Sequence, residues 1–174
     1  DILFDESLCE QGRNFNNKIW NAFRLVKGWE VADIEQPAEC KIATEWFEAK
    51  LKQTNAELND LFKKYRISEA LMAVYRLFWD EFSSWYLEMV KPAYIDGKGQ
   101  PIDRATYDAT LRFFENLLKM LHPFMPFITE ELWQHIYDRN ECESIMRDKL
   151  DISEPTETDN KLAADIENVK QIVS

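Results

Sequence analysis

The sequence predicts an all-α fold, a five-helix antiparallel bundle with a short irregular C-terminal extension. Apolar residues recur at helical spacing over long stretches. The 174 residues include only four Gly and six Pro, so turns are few and the elements between them are long. A hydrophobic content of 45%, with six Trp, six Tyr and eleven Phe, is ample for one packed core.

The first two helices are predicted over residues 5–27 and 38–65. Gly28 follows the last apolar residue of the first helix and is expected to end it, and the stretch through Pro37 is predicted to be a loop. The buried stripe of the first helix is predicted to comprise Phe15, Ile19, Ala22, Phe23 and Val26. The second helix is expected to fray near Asn55. Its buried side is predicted to comprise Ile42, Trp46, Phe47, Leu51, Leu58, Leu61 and Phe62.

The third helix is predicted to begin at Ser68 and to end at Lys91, before Pro92, which cannot continue a helix. The apolar residues that sustain its helical period are Leu71, Val74, Tyr75, Phe78, Phe82, Trp85, Tyr86 and Met89. Asp80 and Glu81 lie among these aromatics and raise the alternative of a carboxylate site. Core packing is favoured, because the sequence shows no neighbouring His or basic partner that would shift their pKa values.

A turn at residues 96–101 is predicted to precede a fourth helix, which Asp103 caps and which ends near Leu121. Pro126 suits the first turn of a fifth helix, which ends near Tyr137. Its apolar residues are Phe127, Ile128, Leu132, Trp133 and Ile136. Residues 1–150 are therefore predicted to form the bundle. Residues 151–174 are predicted to be an acidic linker and the start of a following element.

The net charge of −11 argues against a protein coated in basic residues and, taken alone, against nucleic-acid binding. One stretch differs, since residues 13–28 hold four basic residues and no acidic one. The three cysteines are odd in number and far apart, which predicts a reducing, intracellular setting without a zinc site. No apolar run approaches the roughly 20 residues that span a bilayer, so the chain is expected to be cytoplasmic.

The first helix carries the candidate binding residues. Four Asn within eight positions weaken this helix, each by roughly 0.5 kcal/mol or more relative to Ala. On a helical wheel a polar face lies opposite the apolar stripe and comprises Arg13, Asn17, Asn21 and Arg24, with Asn14, Lys18 and Trp20 at its edges. Amide, guanidinium and aromatic groups together suit single-stranded RNA. The alternative is a solvated face whose Asn residues cap neighbouring loops.

The sequence carries no pattern that indicates catalysis. It contains no phosphate-binding Gly-rich loop and no nucleophile elbow. His122 and His135 are thirteen residues apart and have no metal-ligand spacing. We therefore expect no catalytic residue and no metal site in this domain, and a free-standing enzyme is disfavoured.

Three stretches together resemble the anticodon-binding domain of valyl-tRNA synthetases, which are class I aminoacyl-tRNA synthetases. Residues 12–24, GRNFNNKIWNAFR, resemble its first helix, and residues 78–92 resemble its third. Residues 117–133, LLKMLHPFMPFITEELW, resemble its last turn and fifth helix, and residues 143–146 resemble a strand-like tail. The first motif is typical of the valyl branch, whereas the motif at 117–133 is shared with isoleucyl and leucyl relatives. Two departures are Leu25 in place of a usual aromatic, and Ser83-Ser84 in place of a common Cys-Asp.

The resemblance implies a parent ligase that joins valine to tRNA(Val) with ATP and Mg, in a cytoplasmic, monomeric protein. The signature motifs of adenylate chemistry are absent from these residues, so the resemblance implies that other domains of the same synthetase hold the catalytic and editing sites and that this domain needs no cofactor. Its role would be to bind the anticodon stem-loop. The residues that match the family's binding zone are Arg13, Asn14, Asn17, Lys18, Asn21 and Arg24.

Two alternatives stay open at this stage. One is a helical scaffold or protein-interaction domain without RNA binding, whose contacts would depend little on salt, whereas RNA binding weakens steeply with added salt. The other is an isoleucyl-type synthetase domain.

Overall fold

The computed structural model describes residues 6–95, 98–140 and 142–173, and the fold over these ranges is helical. The α-helices are α1 (Glu6–Lys27), α2 (Ala38–Lys63), α3 (Ile67–Arg76), α4 (Leu87–Val90), α5 (Arg104–Leu121), α6 (Pro126–Ile136) and α7 (Glu157–Val173). A π-helical segment (Leu77–Tyr86) joins α3 to α4, and a 3-10 turn covers Ile145–Arg147. The predicted all-α class is confirmed. None of these helices combines the length and the apolar character that crossing a membrane requires.

Four two-residue strands complete the described fold. They are β1 (Val31–Ala32), β2 (Tyr94–Ile95), β3 (Lys98–Gly99) and β4 (Ile102–Asp103). β1 pairs in parallel with β4, and β2 pairs with β3 as an antiparallel hairpin. These pairs tie the loop after α1 to the loop before α5, at the end of the bundle where α6 also finishes. We call this the hairpin end, and we call the opposite end, which holds the α2–α3 and α5–α6 turns, the turn end.

The predicted helix boundaries are largely confirmed, with physical reasons visible at each. Gly28 donates its backbone N–H to the carbonyl of Arg24 and ends α1. Asp103 caps α5 by accepting the Thr106 backbone N–H at 2.8 Å. Pro126 opens α6 as predicted. The expected first residue of α1, Asp5, lies outside the described residues.

The predicted end of α2 at Tyr65 was wrong by two residues. Helix α2 ends at Lys63, and Tyr65 follows with a φ of 57°, in the left-handed region. The expected fraying near Asn55 was also wrong. Asn55 is buried, and its side-chain amide donates to the Ile152 carbonyl at 3.4 Å, so the Asn joins the bundle to the C-terminal segment.

The third predicted helix is continuous from Ile67 to Val90, but its middle is π-helical rather than α-helical. At the end of the π-helical segment the Leu87 backbone N–H donates to the Phe82 carbonyl, five residues earlier, which is the π-helical spacing. Sequence periodicity is a poor guide to this feature, because the apolar pattern continues through it. The wider turns carry Glu81 and Trp85, which contact α7 as described below.

Aromatic side chains fill the centre of the core. Phe47 of α2 lies within 5.2 Å of the ring centres of Phe82, Tyr86 and Phe113. The buried Tyr86 hydroxyl shares a hydrogen bond of 2.7 Å with Thr110. Burial raises the pKa of Tyr86 above its ordinary value, so its phenol stays protonated and serves structure.

Four apolar residues at the predicted helical spacing are exposed, and two of them, Ile42 and Phe62, were predicted to be buried. The four are Ile42, Phe62, Met89 and Phe127. All four sit at the edge of an apolar stripe or in the first or last turns of a helix, where helical spacing alone does not tell which neighbour covers a side chain. Phe127 is the extreme case, with 89% of its surface exposed.

The C-terminal segment folds back on the bundle. A capping box opens α7, in which the Asp159 carboxylate accepts the Thr156 backbone N–H at 2.8 Å and the Thr156 hydroxyl accepts the Asp159 N–H at 3.2 Å. Helix α7 then packs along α2, with Lys52 paired to Asp159 at 3.2 Å and Gln53 bonded to Asn160 at 2.7 Å. The segment expected to begin a following element is thus helical. The domain division after residue 150 stays a prediction.

The strand-like tail implied for residues 143–146 is not a strand but leads into the 3-10 turn. Glu130 of α6 holds this tail by accepting the Ser144 hydroxyl at 2.7 Å and the Ile145 backbone N–H at 3.2 Å. Beside it, Arg139 lies over the Trp133 ring and pairs with Glu115 at 2.6 Å. The polar side chains of α5 and α6 therefore fix the path of the chain towards α7.

Candidate nucleic-acid interface

The polar face of α1 points away from the core, as helical geometry requires. Phe15, Ile19 and Val26 are buried, and Phe23 is half-buried against Phe114, with ring centres 5.8 Å apart. Five of the six predicted site residues are exposed: Arg13, Asn14, Asn17, Asn21 and Arg24. The sixth, Lys18, is half-buried. The structure therefore brings the six residues together on one side of a single helix.

Asn16 belongs to the same Asn-rich run but does not join this face. It is half-buried, and its side-chain oxygen is enclosed without a hydrogen-bond partner among the described residues. Trp20, at the edge of the face, is 39% exposed and lies beside Phe23. An exposed indole edge of this kind offers a stacking surface to an unpaired base.

Lys18 is held in place by an aromatic neighbour. Its ammonium lies 4.7 Å from the centre of the Trp79 ring, in the π-helical segment. Trp79 in turn stacks on Tyr75, with ring centres 5.5 Å apart. Within the described part of the chain Lys18 makes no ion pair with a carboxylate, whereas Arg13 pairs with Glu10 at 3.5 Å. A cation that is oriented but unneutralised suits contact with a phosphate.

A cleft of about 770 Å³ opens at the hairpin end of α1. Its walls come from the last turn of α1, the loop after α4 and the β2–β3 hairpin. Its lining side chains include Arg24, Leu25, Trp29, Lys91 and Tyr94, together with the carboxylates of Glu30 and Glu88. Gly28 also lines it, and a β-carbon there would lie 3.2 Å from the Arg24 carbonyl oxygen, so the glycine permits the tight end of the helix.

Of the residues that line this cleft, Arg24 was predicted as a site residue from the sequence. Trp29, Lys91 and Tyr94 were not. Tyr94 is 77% exposed, and Lys91 pairs with Glu88. Lys91 and Tyr94 lie some 70 residues from α1 in the chain, and only the fold brings them beside Arg24. The sequence does place these aromatic and basic residues in or next to predicted loops. Such residues are too common in loops to indicate a binding site by themselves.

The face and the cleft share one chemistry. Side-chain amides offer a donor and an acceptor together, as base edges do, and guanidinium and ammonium groups contact phosphates. Exposed Trp20 and Tyr94 provide planar surfaces for stacking. The arrangement can bind an irregular, single-stranded stretch of nucleic acid through contacts to the backbone and to unstacked bases.

Asp80 and Glu81 raised the alternative of a carboxylate site, and the structure shows what the Glu81 carboxylate does. Glu81 pairs with Lys170 of α7 at 2.7 Å and with Lys50 of α2 at 3.3 Å. The expectation that Glu81 lacks a basic partner was therefore wrong, because both partners come from distant helices. The pairs join α2, the π-helical segment and α7, so both carboxylate oxygens of Glu81 are used in ion pairs within the fold.

The two histidines have local structural contacts. His122 shares a hydrogen bond of 2.7 Å with the Thr129 hydroxyl at the α5–α6 turn. His135 lies 3.2 Å from Glu131, one turn earlier on α6. Over the ranges that the structure describes, no group of three or more His, Cys, Asp or Glu is placed to hold a metal ion.

Comparison with known proteins finds similarity to one domain of tRNA ligases. A sequence model of one family, described as the anticodon-binding domain of tRNA ligase, matches residues 44–174. The chain is 70% identical over 173 residues to a valine–tRNA ligase of Phocaeicola vulgatus and 62% identical over 177 residues to one of Bacteroides thetaiotaomicron. A more distant valine–tRNA ligase, of Fusobacterium nucleatum, is 34% identical over 181 residues.

These matches cover 99–100% of the chain but only 19–20% of each relative's length, so the chain spans about a fifth of the relatives it matches. The family match begins at residue 44, within α2, and runs through α7, while the whole-chain matches include α1 as well. The helical fold and these matches agree, and the chain belongs to the family of tRNA-ligase anticodon-binding domains.

Proposed function

We propose that the chain binds the anticodon stem-loop of tRNA(Val) and serves a parent valine–tRNA ligase that attaches valine to this tRNA with ATP. The whole-chain similarity to valine–tRNA ligases supports the choice of tRNA and of parent activity. The chemistry of adenylation, with its ATP and Mg, belongs to other domains of that cytoplasmic, monomeric ligase. The domain acts as a positioning element that fixes where the rest of the tRNA lies.

The observation that carries this proposal is the outward face of α1. It presents three Asn side chains, two Arg and the oriented Lys18 over a stretch that contains no acidic residue, in a chain with a net charge of −11. Local positive charge persists on such a background, because salt screens charges beyond about 10 Å. Phosphate contacts from the cations orient the stem, and amide contacts read the unstacked bases.

The cleft at the hairpin end extends this face. Arg24 belongs to both, so an RNA strand that follows α1 towards its last turn reaches Trp29, Lys91 and Tyr94. Leu25, which stands where the family usually carries an aromatic, lines the cleft and is 46% exposed. A base seated here would pack on an aliphatic side chain and would use Trp29 or Tyr94 for stacking.

The test is a titration of the chain with anticodon stem-loops of valine and isoleucine tRNA at low and moderate salt. We expect tighter binding of the valine loop and a clear loss of affinity with added salt, since counterions are released on binding. Equal binding of both loops would contradict the assignment to tRNA(Val). Absence of binding to either loop at low salt would favour a protein-interaction domain instead.

A further inference from the structure

The π-helical segment carries two half-buried tryptophans, each in contact with a lysine of a neighbouring helix. Trp85 contacts Lys170 of α7, whose ammonium is neutralised by two carboxylates. Trp79 contacts Lys18 of the polar α1 face, which has no carboxylate partner in the described part of the chain. The proposed function uses Lys18 and leaves Trp79 without a part in RNA binding.

The Trp79 side chain is fixed by its neighbours. Its ring stacks on Tyr75, with centres 5.5 Å apart and planes 15° apart, and its centre lies 6.2 Å from that of Phe15 on α1. Phe15 is itself buried in the core. The backbone is held as well, because the Ser84 hydroxyl donates to the Trp79 carbonyl at 2.9 Å. The ring in contact with Lys18 is therefore a rigid surface.

This ring restricts where the Lys18 ammonium can lie. The ammonium is 4.7 Å from the ring centre, within the roughly 6 Å over which a cation is attracted to the face of an indole. A free lysine side chain loses rotational freedom when a ligand orders it. Because Trp79 orders Lys18 before RNA arrives, binding of a phosphate costs less conformational entropy. An ion pair would also order the ammonium, but it would neutralise the charge that attracts the phosphate.

The carboxylates of the π-helical segment are directed away from Lys18. Asp80, which follows Trp79 in the chain, lines a small cavity shared with α2. Glu81 forms its ion pairs with lysines of α2 and α7. The segment thus turns an aromatic ring towards α1 and its acidic groups towards α2 and α7, which leaves the Lys18 charge available.

From these observations we propose that Trp79 is a positioning residue for RNA binding, which holds the Lys18 ammonium where a phosphate of the bound strand lies. The inference rests on the proposed function and deepens it, since a residue outside α1 takes part in the contact that α1 makes. Trp79 acts through Lys18 and does not itself stack on a base. The more exposed Trp20 and Tyr94 supply the stacking surfaces.

The test is a double-mutant cycle on Lys18 and Trp79, in which the valine stem-loop is titrated into the chain at low and moderate salt. We expect Trp79→Leu to weaken binding by roughly three- to tenfold, the range of a cation–π contact. The salt dependence should fall towards that of Lys18→Ala, because the phosphate contact is weakened. In the Lys18→Ala background, Trp79→Leu should weaken binding by less than about twofold, since the ammonium that it positions is gone. Trp79→Phe, which keeps an aromatic ring, should retain most of the affinity.

Trp85→Leu is the matched control, because Trp85 is a half-buried tryptophan of the same segment and also contacts a lysine. It should lower the free energy of unfolding in urea and leave the affinity for the stem-loop unchanged. An NMR measurement on the unsubstituted chain tests the proposal even if Trp79→Leu does not fold. Nuclear Overhauser contacts between the Lys18 ε-methylene and the Trp79 indole should persist in the complex with the stem-loop.

Additive losses from Trp79→Leu and Lys18→Ala would overturn the proposal, because Trp79 would then contact the RNA itself. Equal losses of affinity from Trp79→Leu and Trp85→Leu would also overturn it, since a loosened bundle would explain both. Loss of the NMR contact on RNA binding would have the same consequence. Failure of the unsubstituted chain to bind either stem-loop would overturn the proposed function together with this role, whereas unchanged affinity of Trp79→Leu would overturn the role alone.

Discussion

The molecule places a lysine over a tryptophan in two regions, with opposite consequences. Lys18 on α1 lies over Trp79 at 4.7 Å, is half-buried and has no carboxylate partner among the described residues. Lys170 on α7 lies between Trp46 and Trp85, at 5.3 and 5.2 Å from their ring centres. It is 8% exposed and pairs with two carboxylates. The same cation–π contact thus belongs to a binding surface at Lys18 and to the packing of α7 on the bundle at Lys170.

The difference shows that the neighbours of a cation decide its role. Glu81 and Glu167 neutralise Lys170, and the surrounding rings exclude water, so its charge is used within the fold. On α1 the aromatic ring restricts the motion of Lys18 but leaves its charge unneutralised. A phosphate can supply the missing anion there. The comparison predicts large effects on folding at Lys170 and effects on RNA binding, with little change in folding, at Lys18.

The largest expected effect is at Lys170. We expect Lys170→Ala to lower the free energy of unfolding by about 3 kcal/mol, near the lower limit for breaking a buried pair, because Lys50 still partners Glu81. Denaturation of the chain in urea measures this change. Lys161→Ala, at an exposed position of the same helix, is the control and should stay within about 0.5 kcal/mol. Equal effects of the two variants would contradict a structural role for Lys170.

The second effect is on RNA binding. Lys18→Ala is expected to reduce the slope of log affinity against log salt by roughly 0.7 to 0.9, the value for one lost phosphate contact. Stability should change by no more than about 1 kcal/mol, as for an exposed cation–π contact. Lys41→Ala, an exposed lysine on α2, serves as control. An unchanged salt slope in the Lys18 variant would mean that this ammonium contacts no phosphate.

The third prediction concerns pH at the start of α7. Hydrogen bonds from the Thr156 N–H and hydroxyl, together with the ion pair to Lys52, hold the pKa of Asp159 below its ordinary value. The stability it contributes is therefore present above the unfolded carboxyl pKa, about 3.9, and is lost as the pH falls through the lower folded pKa.

We accordingly expect Asp159→Ala to cost about 1 kcal/mol near neutral pH, as loss of a helix cap does, and the difference from the unmodified chain to shrink in acid. Urea unfolding at several pH values measures it. Asp165→Ala, at an exposed position of α7, should show a smaller difference at neutral pH. A difference for Asp159 that grows in acid would reverse the assigned sign.

The smallest expected effect on folding is at Asn21 and has the opposite sign. Asn21→Ala should raise the free energy of unfolding by about 0.5 kcal/mol, since Ala is the better helix former and Asn21 is exposed. The same variant should bind the valine stem-loop more weakly. Stability and affinity would then move in opposite directions, which is expected of a residue kept for binding. A stabilised variant with unchanged affinity would remove Asn21 from the interface.

Helical spacing and turn residues were sufficient to predict most of the fold. Helices α1, α2, α5 and α6 lie close to their predicted positions because Gly28, Asp103 and Pro126 act locally. The π-helical segment and the packing of α7 could not be predicted in this way. The first does not interrupt the apolar pattern, and the second depends on Glu81, whose partners are far away in the chain.

The candidate site likewise contains residues that the sequence predicts and residues that only the fold brings together. The six residues on α1 share one helix, and a helical wheel was sufficient to place them on one face. Trp29, Lys91 and Tyr94 reach the cleft only because β1 pairs with β4 and the hairpin folds over the end of α1. Contacts between such distant segments depend on the three-dimensional fold, so helical spacing and local turn residues do not predict them.

An NMR titration tests most directly whether RNA contacts the polar face of α1. It follows the side-chain amide signals of Asn14, Asn17 and Asn21 while the valine stem-loop is added. These exposed amides should shift or broaden as the RNA binds. The amides of Asn55 and Asn160, which join the bundle to the C-terminal segment, should remain in place. RNA binding that leaves the three α1 amides unperturbed, or that perturbs the amides of Asn55 and Asn160 instead, would contradict RNA contact at the polar face of α1.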